Sequence, residues 1–261
     1  MKILLKSDPS NSRVIEGLHN AAYDCGMTSL IWDESRKPSF DMVQEFEPDL
    51  VICVDCVEGQ PIHSACQEKS IKLVSISPTK ASADSLNHIH KSSADLIKCN
   101  HDKTKNLDII TISEKDNRQI LKLLKLGLKC FSYENKLNTP CYLGLVTPQE
   151  SHSLLCRAKM FFVFEEDWEL ICNCIASDCI PVLFNNTFGS GELPSLESQE
   201  EIELEIKKIQ TEENYRLDTL AKCKELVFSG YTYHHRLSEI MTLVNRSDES
   251  KLVIEQMEKY K

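Results

Sequence analysis

Short apolar runs alternate with amphipathic segments along the first part of the chain. Buried strands are predicted where these runs lie, at residues 1–6, 28–33, 49–56 and 72–78. The segment between the first two runs predicts a helix over residues 10–24, because Val14, Leu18 and Ala21 fall on one face of it. Shorter helical segments separate the later runs. This order predicts βαβ units, and hence a parallel sheet with helices on both faces.

The same alternation restarts after a polar stretch at residues 79–105, and we place a domain linker near residues 100–106. Strands are then predicted at residues 107–113, 128–133, 141–146, 159–164 and 180–185. Helices are predicted between them at residues 115–126, from residue 147 onward and at 167–177. The last part is predicted to be helical at residues 197–209, 214–228 and 232–244, followed by a charged tail.

The length agrees with two domains, because 261 residues exceed what one small domain needs. We predict an α/β fold made of two Rossmann-like βαβ domains. The N-terminal domain is expected to span residues 1–105, and the C-terminal domain residues 106–261 with the closing helices.

Composition and charge narrow the classes of function. The chain is 41% hydrophobic and 27% charged, which is typical of an ordered globular protein. Its net charge of -10 repels phosphate backbones, so no nucleic-acid partner is expected. The apolar start is too short for a signal-peptide core, and no run approaches the roughly 20 apolar residues of a membrane span. Most of the twelve cysteines lie within apolar runs, so we expect a reduced, cytoplasmic protein.

Common catalytic motifs are absent from the sequence. It has no phosphate-binding P-loop, no G-x-G-x-x-G, no G-x-S-x-G and no H-E-x-x-H. It also lacks the Asp-x-Asp pair with which metal-dependent sugar transferases hold a diphosphate through a divalent ion. No metal site of that kind is therefore predicted.

Two groups of cysteines have the residue types of a metal site. Cys53-x-x-Cys56, followed by His63 and Cys66, could in principle supply the four ligands that zinc needs. Because Cys53 lies in a strand predicted to be buried on both faces, we favour core cysteines beside a surface helix. The cysteines in residues 172–179 lie on or just after an apolar helix and are interpreted as packing residues.

The second half resembles a known family. Residues 142–164, YLGLVTPQESHSLLCRAKMFFVF, resemble the core of the C-terminal domain of two-domain, GT-B type glycosyltransferases. Residues 165–184, EEDWELICNCIASDCIPVLF, stand where those proteins carry a glutamate-bearing helix and a Gly-x-Pro-Val turn. Residues 214–241 are similar to their closing helices, and EFEPDLVICVD at 45–55 resembles their N-terminal domain. The nearest subgroup is the spore-maturation (CgeB-like) and family 1-like glycosyltransferases.

The resemblance implies a metal-independent transferase that moves a sugar from a nucleotide-sugar to an acceptor hydroxyl. The donor would be a substrate, and no separate cofactor is expected. It would lie in the cleft that the two domains of this architecture face, at the carboxyl ends of the second domain's strands. Helix N-termini and a few basic side chains would hold its diphosphate.

The donor-side residues follow from the positions that match the family pattern. Counting back from Pro181, the glutamate that binds the ribose falls on Cys174, and the glycine of the turn falls on Cys179. Glu166 stands at the place of the first glutamate of the family's Glu-x7-Glu pair. We expect Glu166 to contact the nucleotide or the sugar. Alternative carboxylates for the same contact are Asp167 and Glu169.

Basic and acceptor-side candidates complete the predicted site. Lys115 and Arg118, near the start of the first helix of the second domain, are candidates for the diphosphate, although they also fit ordinary exposed helix charges. Lys6 and Ser7, at the end of the first strand, are expected on the acceptor side. Asp8 is a candidate general base, and its alternative role is an Asx turn or a helix cap.

Two further interpretations stay open. The replaced glutamate and glycine favour a GT-B-like binding or partner protein without transferase activity. Other doubly wound α/β functions, such as an epimerase or a response regulator, need residues that the sequence does not place at the strand ends.

Overall fold

The computed structural model describes residues 1–7, 12–54, 56, 59–76, 93–99, 104–113, 120, 123–134, 136–164, 167–184, 193, 195–196 and 198–261. These residues form two compact units. The first unit comprises Met1–Ile97 together with Thr232–Lys261, and the second comprises Lys98–Tyr231.

The first unit is built on a parallel sheet with four strands among the described residues. Its strands are β1 (Lys2–Ser7), β2 (Thr28–Asp33), β3 (Leu50–Val54) and β4 (Lys72–Ile76). They lie in the order β2-β1-β3-β4, and every pairing is parallel. The intervening helices are α1 (Ser12–Asp24), α2 (Ser39–Phe46) and α3 (Pro61–Glu68). The strand–helix alternation predicted for this part is confirmed.

Successive residues of β1 point into two different helix layers. Ile3 and Leu5 belong to a core that includes α1, whereas Leu4 belongs to a core with α2 and α3. All three side chains are almost fully buried. Because side chains alternate across a strand, a continuous apolar run is the pattern expected for a sheet covered on both faces.

The C-terminal helices belong to the first unit, whereas the sequence placed them in a second domain spanning 106–261. They are α8 (Tyr233–Leu243) and α9 (Ser247–Met257), so the predicted charged tail forms a further helix. Leu237, Ile240 and Val253 are buried in the same core as α1 and β1. The apolar faces of α8 and α9 are therefore buried in the core of the first unit. For this reason the segment belongs to the first unit, although the second unit directly precedes it in sequence.

The second unit contains a parallel sheet with six described strands. They are β5 (Leu107–Ile112), β6 (Lys129–Ser132), β7 (Tyr142–Leu145), β8 (Ala158–Val163), β9 (Ile180–Phe184) and β10 (Ser195–Leu196). The sheet order is β10-β9-β8-β5-β6-β7. Its helices are α4 (Pro148–Arg157), α5 (Trp168–Ala176), α6 (Gln199–Thr211) and α7 (Glu213–Gly230). The two-residue strand β10 was not predicted from the sequence.

The predicted helix at 115–126 lies mostly outside the described residues, and its end forms a short 3-10 turn at Leu124–Leu126. The α/β class, the two Rossmann-like units and the helical C-terminus are confirmed. In the part of the chain that the structure describes, no helix has both the length and the hydropathy of a membrane span.

Candidate functional site

A small cavity lies at the carboxyl edge of the second sheet. Its volume is about 80 Å³, and its walls include Ile112, Ser113, Tyr133, Phe164 and Asp167. These residues end or follow β5, β6 and β8 and open α5. Loops at the carboxyl ends of parallel strands are where open α/β sheets bind their ligands. The cavity therefore lies at the edge where a sheet of this kind is expected to bind a ligand.

The N-terminus of α5 lies at the wall of this cavity. Asp167 is the N-cap of α5, and its Oδ1 accepts a hydrogen bond of 3.0 Å from the backbone N–H of Leu170. Both residues line the cavity. The next residue, Trp168, stacks on Tyr231, with ring centroids 6.2 Å apart and ring planes 9° apart. The cap and the stacked ring fix the start of α5 against the rest of the second unit, and a helix start attracts anions.

The structure brings some of the predicted donor-side residues to this edge and not others. Asp167 lines the cavity, and Glu169 is half-buried in the first turn of α5. Glu166, Lys115 and Arg118 lie outside the described residues.

Cys174, which the family pattern predicts as a donor-binding position, is buried. Its side chain is fully buried, and its Sγ donates a hydrogen bond of 3.2 Å to the carbonyl oxygen of Cys179. Burial, followed by the nearby Cys179, raises the pKa of the Cys174 thiol well above its usual range. Cys172 and Cys179 are likewise buried, so the interpretation of these cysteines as packing residues is confirmed.

A polar cluster lies at the carboxyl edge of the first sheet. Lys6, at the end of β1, forms an ion pair of 2.6 Å with Glu34, which directly follows β2. Its Nζ also donates to Oε1 of Gln60, the N-cap residue of α3, over 3.4 Å. Burial opposes the charge on Glu34, but hydrogen bonds from Lys6 and Ser39 outweigh it and lower the pKa of this carboxyl. These contacts hold the ammonium group of Lys6 in place, and the Glu34 carboxylate balances its charge.

The other predicted acceptor-side residues lie beside this cluster in sequence. Ser7 is the last residue of β1 and is half-buried, whereas Asp8 lies outside the described residues. Sequence reasoning missed Glu34 and Gln60 in the first unit, and Ser113 and Tyr133 in the second. Their position just after a strand, or just before a helix, was the available signal.

Burial shows which of the residues considered as zinc ligands are core residues. Cys53 and Cys66 are buried, as expected of core residues, whereas Cys56 is half-buried. Within the described ranges, no group of three or more His, Cys, Asp or Glu side chains is arranged to hold a metal ion. His234, on α8, is fully packed and contacts Asp24 over 3.0 Å.

Comparisons with known proteins give a likeness of fold. No protein-family model matches the sequence, and no curated protein matches it either. The structure is similar to the crystal structure of a glycosyltransferase from Rickettsia africae ESF-5, with a TM-score of 0.55 and 11% sequence identity. That similarity covers 99% of this chain and 97% of the other. The glycosyltransferase SsfS6 from Streptomyces sp. SF2575 matches with a TM-score of 0.42 and 10% identity, over 87% of this chain and 94% of that one.

Proposed function

We propose that the protein is a metal-independent glycosyltransferase that moves a sugar from a nucleotide-sugar donor to an acceptor hydroxyl. The observation that carries the proposal is the cavity at the carboxyl edge of the second sheet, where three strand ends meet the N-terminus of α5. The likeness in fold to a glycosyltransferase along 99% of the chain supports it. The subgroup assignment, to the spore-maturation (CgeB-like) enzymes, stays a prediction.

The donor is proposed to bind to the second unit. Ser113 and Tyr133 line the cavity, and their hydroxyl groups are the proposed hydrogen-bond partners of a ribose or a sugar. The start of α5 offers a positive dipole end for the diphosphate, and Lys115 and Arg118 are proposed to add positive charge. Glu166 is the proposed carboxylate partner of donor hydroxyls. Asp167 already caps α5, so it and Glu169 are the secondary candidates.

The acceptor is proposed to meet the carboxyl edge of the first sheet, near Lys6 and Ser7. In the reaction, the acceptor oxygen forms a bond to the anomeric carbon of the sugar. The bond from that carbon to the diphosphate oxygen breaks, and the nucleoside diphosphate leaves with the electron pair. Asp8 is the proposed general base that takes the acceptor proton.

The test measures the binding of UDP-, GDP-, TDP- and CMP-sugars to the full chain, by thermal shift and by calorimetry. One donor is expected to raise the melting temperature, with or without EDTA, because a ligand that binds only the native state stabilises it. Glu166→Ala and Arg118→Ala are expected to abolish the shift. Glu255→Ala and Lys251→Ala, exposed on α9, are the matched controls. No shift with any member of the panel counts against the proposal.

Asp167 needs a pair of variants, because its carboxylate stabilises the helix. Asp167→Asn keeps a capping oxygen, whereas Asp167→Ala loses it at a cost of about 1 kcal/mol of folding free energy. If Asp167 also contacts the donor through its charge, both variants weaken binding. If it only caps α5, the Asn variant binds donor as the wild type does.

The alternative is a GT-B-like binding or partner protein without transferase activity. It is favoured by Cys174, which is buried at the position that the family pattern gives to the ribose-binding glutamate. The two functions differ in their products. Release of nucleoside diphosphate from a bound donor supports the enzyme, whereas tight donor binding without release over many hours supports the binding protein.

A further inference from the structure

The two cysteines at the carboxyl end of β3 differ from the rest of the chain's thiols. None of the twelve cysteines, all of which lie in the described residues, forms a disulfide, and all of them except Cys25 and Cys56 are buried. Cys53 lies within β3 and is fully buried, and Cys56 follows two residues after the end of the strand. The pair is thus a C-x-x-C with one thiol in the core and one at the surface of the first sheet's ligand edge.

Cys56 is held in place by polar contacts. Its backbone N–H donates to the Ser75 hydroxyl over 3.0 Å, and the same hydroxyl donates back to the Cys56 carbonyl over 3.2 Å. Its Sγ lies 3.2 Å from Oε1 of Gln60, the oxygen that also accepts from Lys6 Nζ. A half-buried thiol beside an ammonium group is the setting in which cysteines become reactive.

The electrostatics of the pair are asymmetric. Both cysteines flank Ser75, which pairs with Cys53 across β3 and β4 and accepts a hydrogen bond from the backbone N–H of Cys56. The interaction of the Cys56 thiol with that of Cys53, assisted by the charge of Lys6, lowers the pKa of Cys56 against the opposing effects of burial and Glu34. The same interaction, together with burial, raises the pKa of Cys53 far above its usual range. The other half-buried thiol, Cys25, has a pKa raised to about 12 by burial and by Asp24. Cys56 is therefore the thiol with the most thiolate character of the two that solvent reaches.

We propose that Cys53 and Cys56 form a peroxide-sensitive dithiol, in which Cys56 is oxidised first and Cys53 then closes a disulfide. The Cys56 thiolate attacks one oxygen of hydrogen peroxide, so an S–O bond forms, the O–O bond breaks and hydroxide leaves to become water. Cys53 sulfur then attacks Cys56 sulfur, so the S–S bond forms and the S–O bond breaks. The hydroxyl group leaves as a second water with the Cys53 proton. Two thiols lose two electrons, and one peroxide is reduced.

The proposal does not rest on the proposed transferase activity, although the pair shares a contact with Lys6, an acceptor-side candidate. Oxidation removes the Cys56 thiol from Gln60 Oε1, which Lys6 also contacts. The oxidation state of the pair therefore acts on the hydrogen bonds that position this cation.

The first experiment measures thiol reactivity in the reduced, native full chain. Brief iodoacetamide pulses near pH 7 are followed by digestion and mass spectrometry of each cysteine. Cys56 is expected to react at least about tenfold faster than Cys25, because the thiolate fraction falls tenfold for each unit that a pKa lies above the pH. Lys6→Met is expected to slow Cys56 severalfold, whereas Lys251→Met, on α9, leaves its rate unchanged. Equal rates for Cys25 and Cys56 would overturn the proposal.

The second experiment identifies the oxidised product. After hydrogen peroxide treatment, the peptide that holds Cys53 and Cys56 is expected to be lighter by two hydrogen atoms and to regain them with dithiothreitol. Cleavage after Glu58 separates this peptide from Cys66. In Cys53→Ser protein, dimedone is expected to label Cys56 as a trapped sulfenic acid. A link from Cys56 to Cys66, or oxidation of Cys56 without any disulfide in the wild type, contradicts the proposal even if the Ser variant does not fold.

Discussion

The ring of Tyr233 lies directly against Gly17. A Cβ added to Gly17 would lie 2.2 Å from Cε2 of Tyr233, far inside normal contact distance. Tyr233 is almost fully buried and opens α8, whereas Gly17 lies in the middle of α1. The glycine thus allows a helix from the end of the chain to pack against a helix from its beginning.

Replacing Gly17 with alanine is expected to destabilise the protein, although alanine favours helix. In an open helix the change would stabilise by roughly 0.5–1 kcal/mol. Here the added methyl group overpacks the contact, at a cost of about 1–3 kcal/mol. Urea unfolding is expected to show a net loss of stability. Gly230→Ala is the control, because nothing lies within 4 Å of its added Cβ, and this variant is expected to be at least as stable as the wild type.

Lys105 is predicted to be a structural lysine of the second unit. Its Nζ donates to the carbonyl oxygens of Cys156 and Ser177 over 2.8 Å each, at the ends of α4 and α5. Burial lowers the pKa of this ammonium group. Lys105→Met leaves those carbonyls without their donor and is expected to cost about 1–3 kcal/mol of folding free energy.

The comparison for Lys105 is Lys125→Met, which changes an exposed lysine of the same unit. Thermal and urea unfolding of the two variants should differ clearly, with Lys125→Met within about 0.5 kcal/mol of the wild type. Equal stability of the two variants would show that the Lys105 contacts contribute nothing net.

Acidification is expected to destabilise the first unit through the histidines of α8. Burial, then the charge of Arg236, lowers the pKa of His235 to about 4, and burial also lowers the pKa of His234 despite Asp24. An unfolded histidine titrates near about 6.5. Between these values the unfolded state binds more protons, so the free energy of unfolding falls as the pH falls from 6.5 towards 4.

Urea titrations between about pH 4.5 and 6.5 test this, because most carboxyl groups stay ionised in that window. His235→Gln is expected to reduce the pH dependence, since the variant loses one of the two histidine rings on α8 whose pKa is lowered. His63→Gln, at a half-buried histidine on α3, is the control for removing a histidine elsewhere in the same unit. An unchanged slope in His235→Gln would contradict the assignment.

Restoring a glutamate at Cys174 is expected to unfold the second unit and not to improve donor binding. The side chain is fully enclosed, so a carboxylate there is buried without a partner, which costs more than about 3 kcal/mol. Cys174→Ser retains a donor for the Cys179 carbonyl and is expected to cost about 1 kcal/mol. Circular dichroism melts check both. A folded Cys174→Glu protein with tighter nucleotide-sugar binding would show that this position does face the ligand.

For much of the candidate site, the sequence predicted which residues lie at strand ends and helix starts, but not which of these residues contact each other. The pattern placed Lys6 and Ser7 at the end of a strand and Asp167 at the start of a helix, and the structure places them there. The ion pair between Lys6 and Glu34 was not predictable, because which strands become neighbours is decided by sheet order. The burial of Cys174 was not predictable, because matching sequence order to a family pattern does not say which face of a helix points into the core.

The sequence by itself determined the order of the elements and the two series of alternating strands and helices. Continuous apolar runs specify strands that must be buried on both faces, and a parallel sheet with helices follows from that requirement. Tertiary structure decided where the closing helices belong. The sequence of an amphipathic helix shows its apolar face but not the surface against which that face packs. The sequence was therefore compatible with packing of α8 and α9 on either unit. The contact of Tyr233 with Gly17 and the shared core with β1 assign them to the first unit.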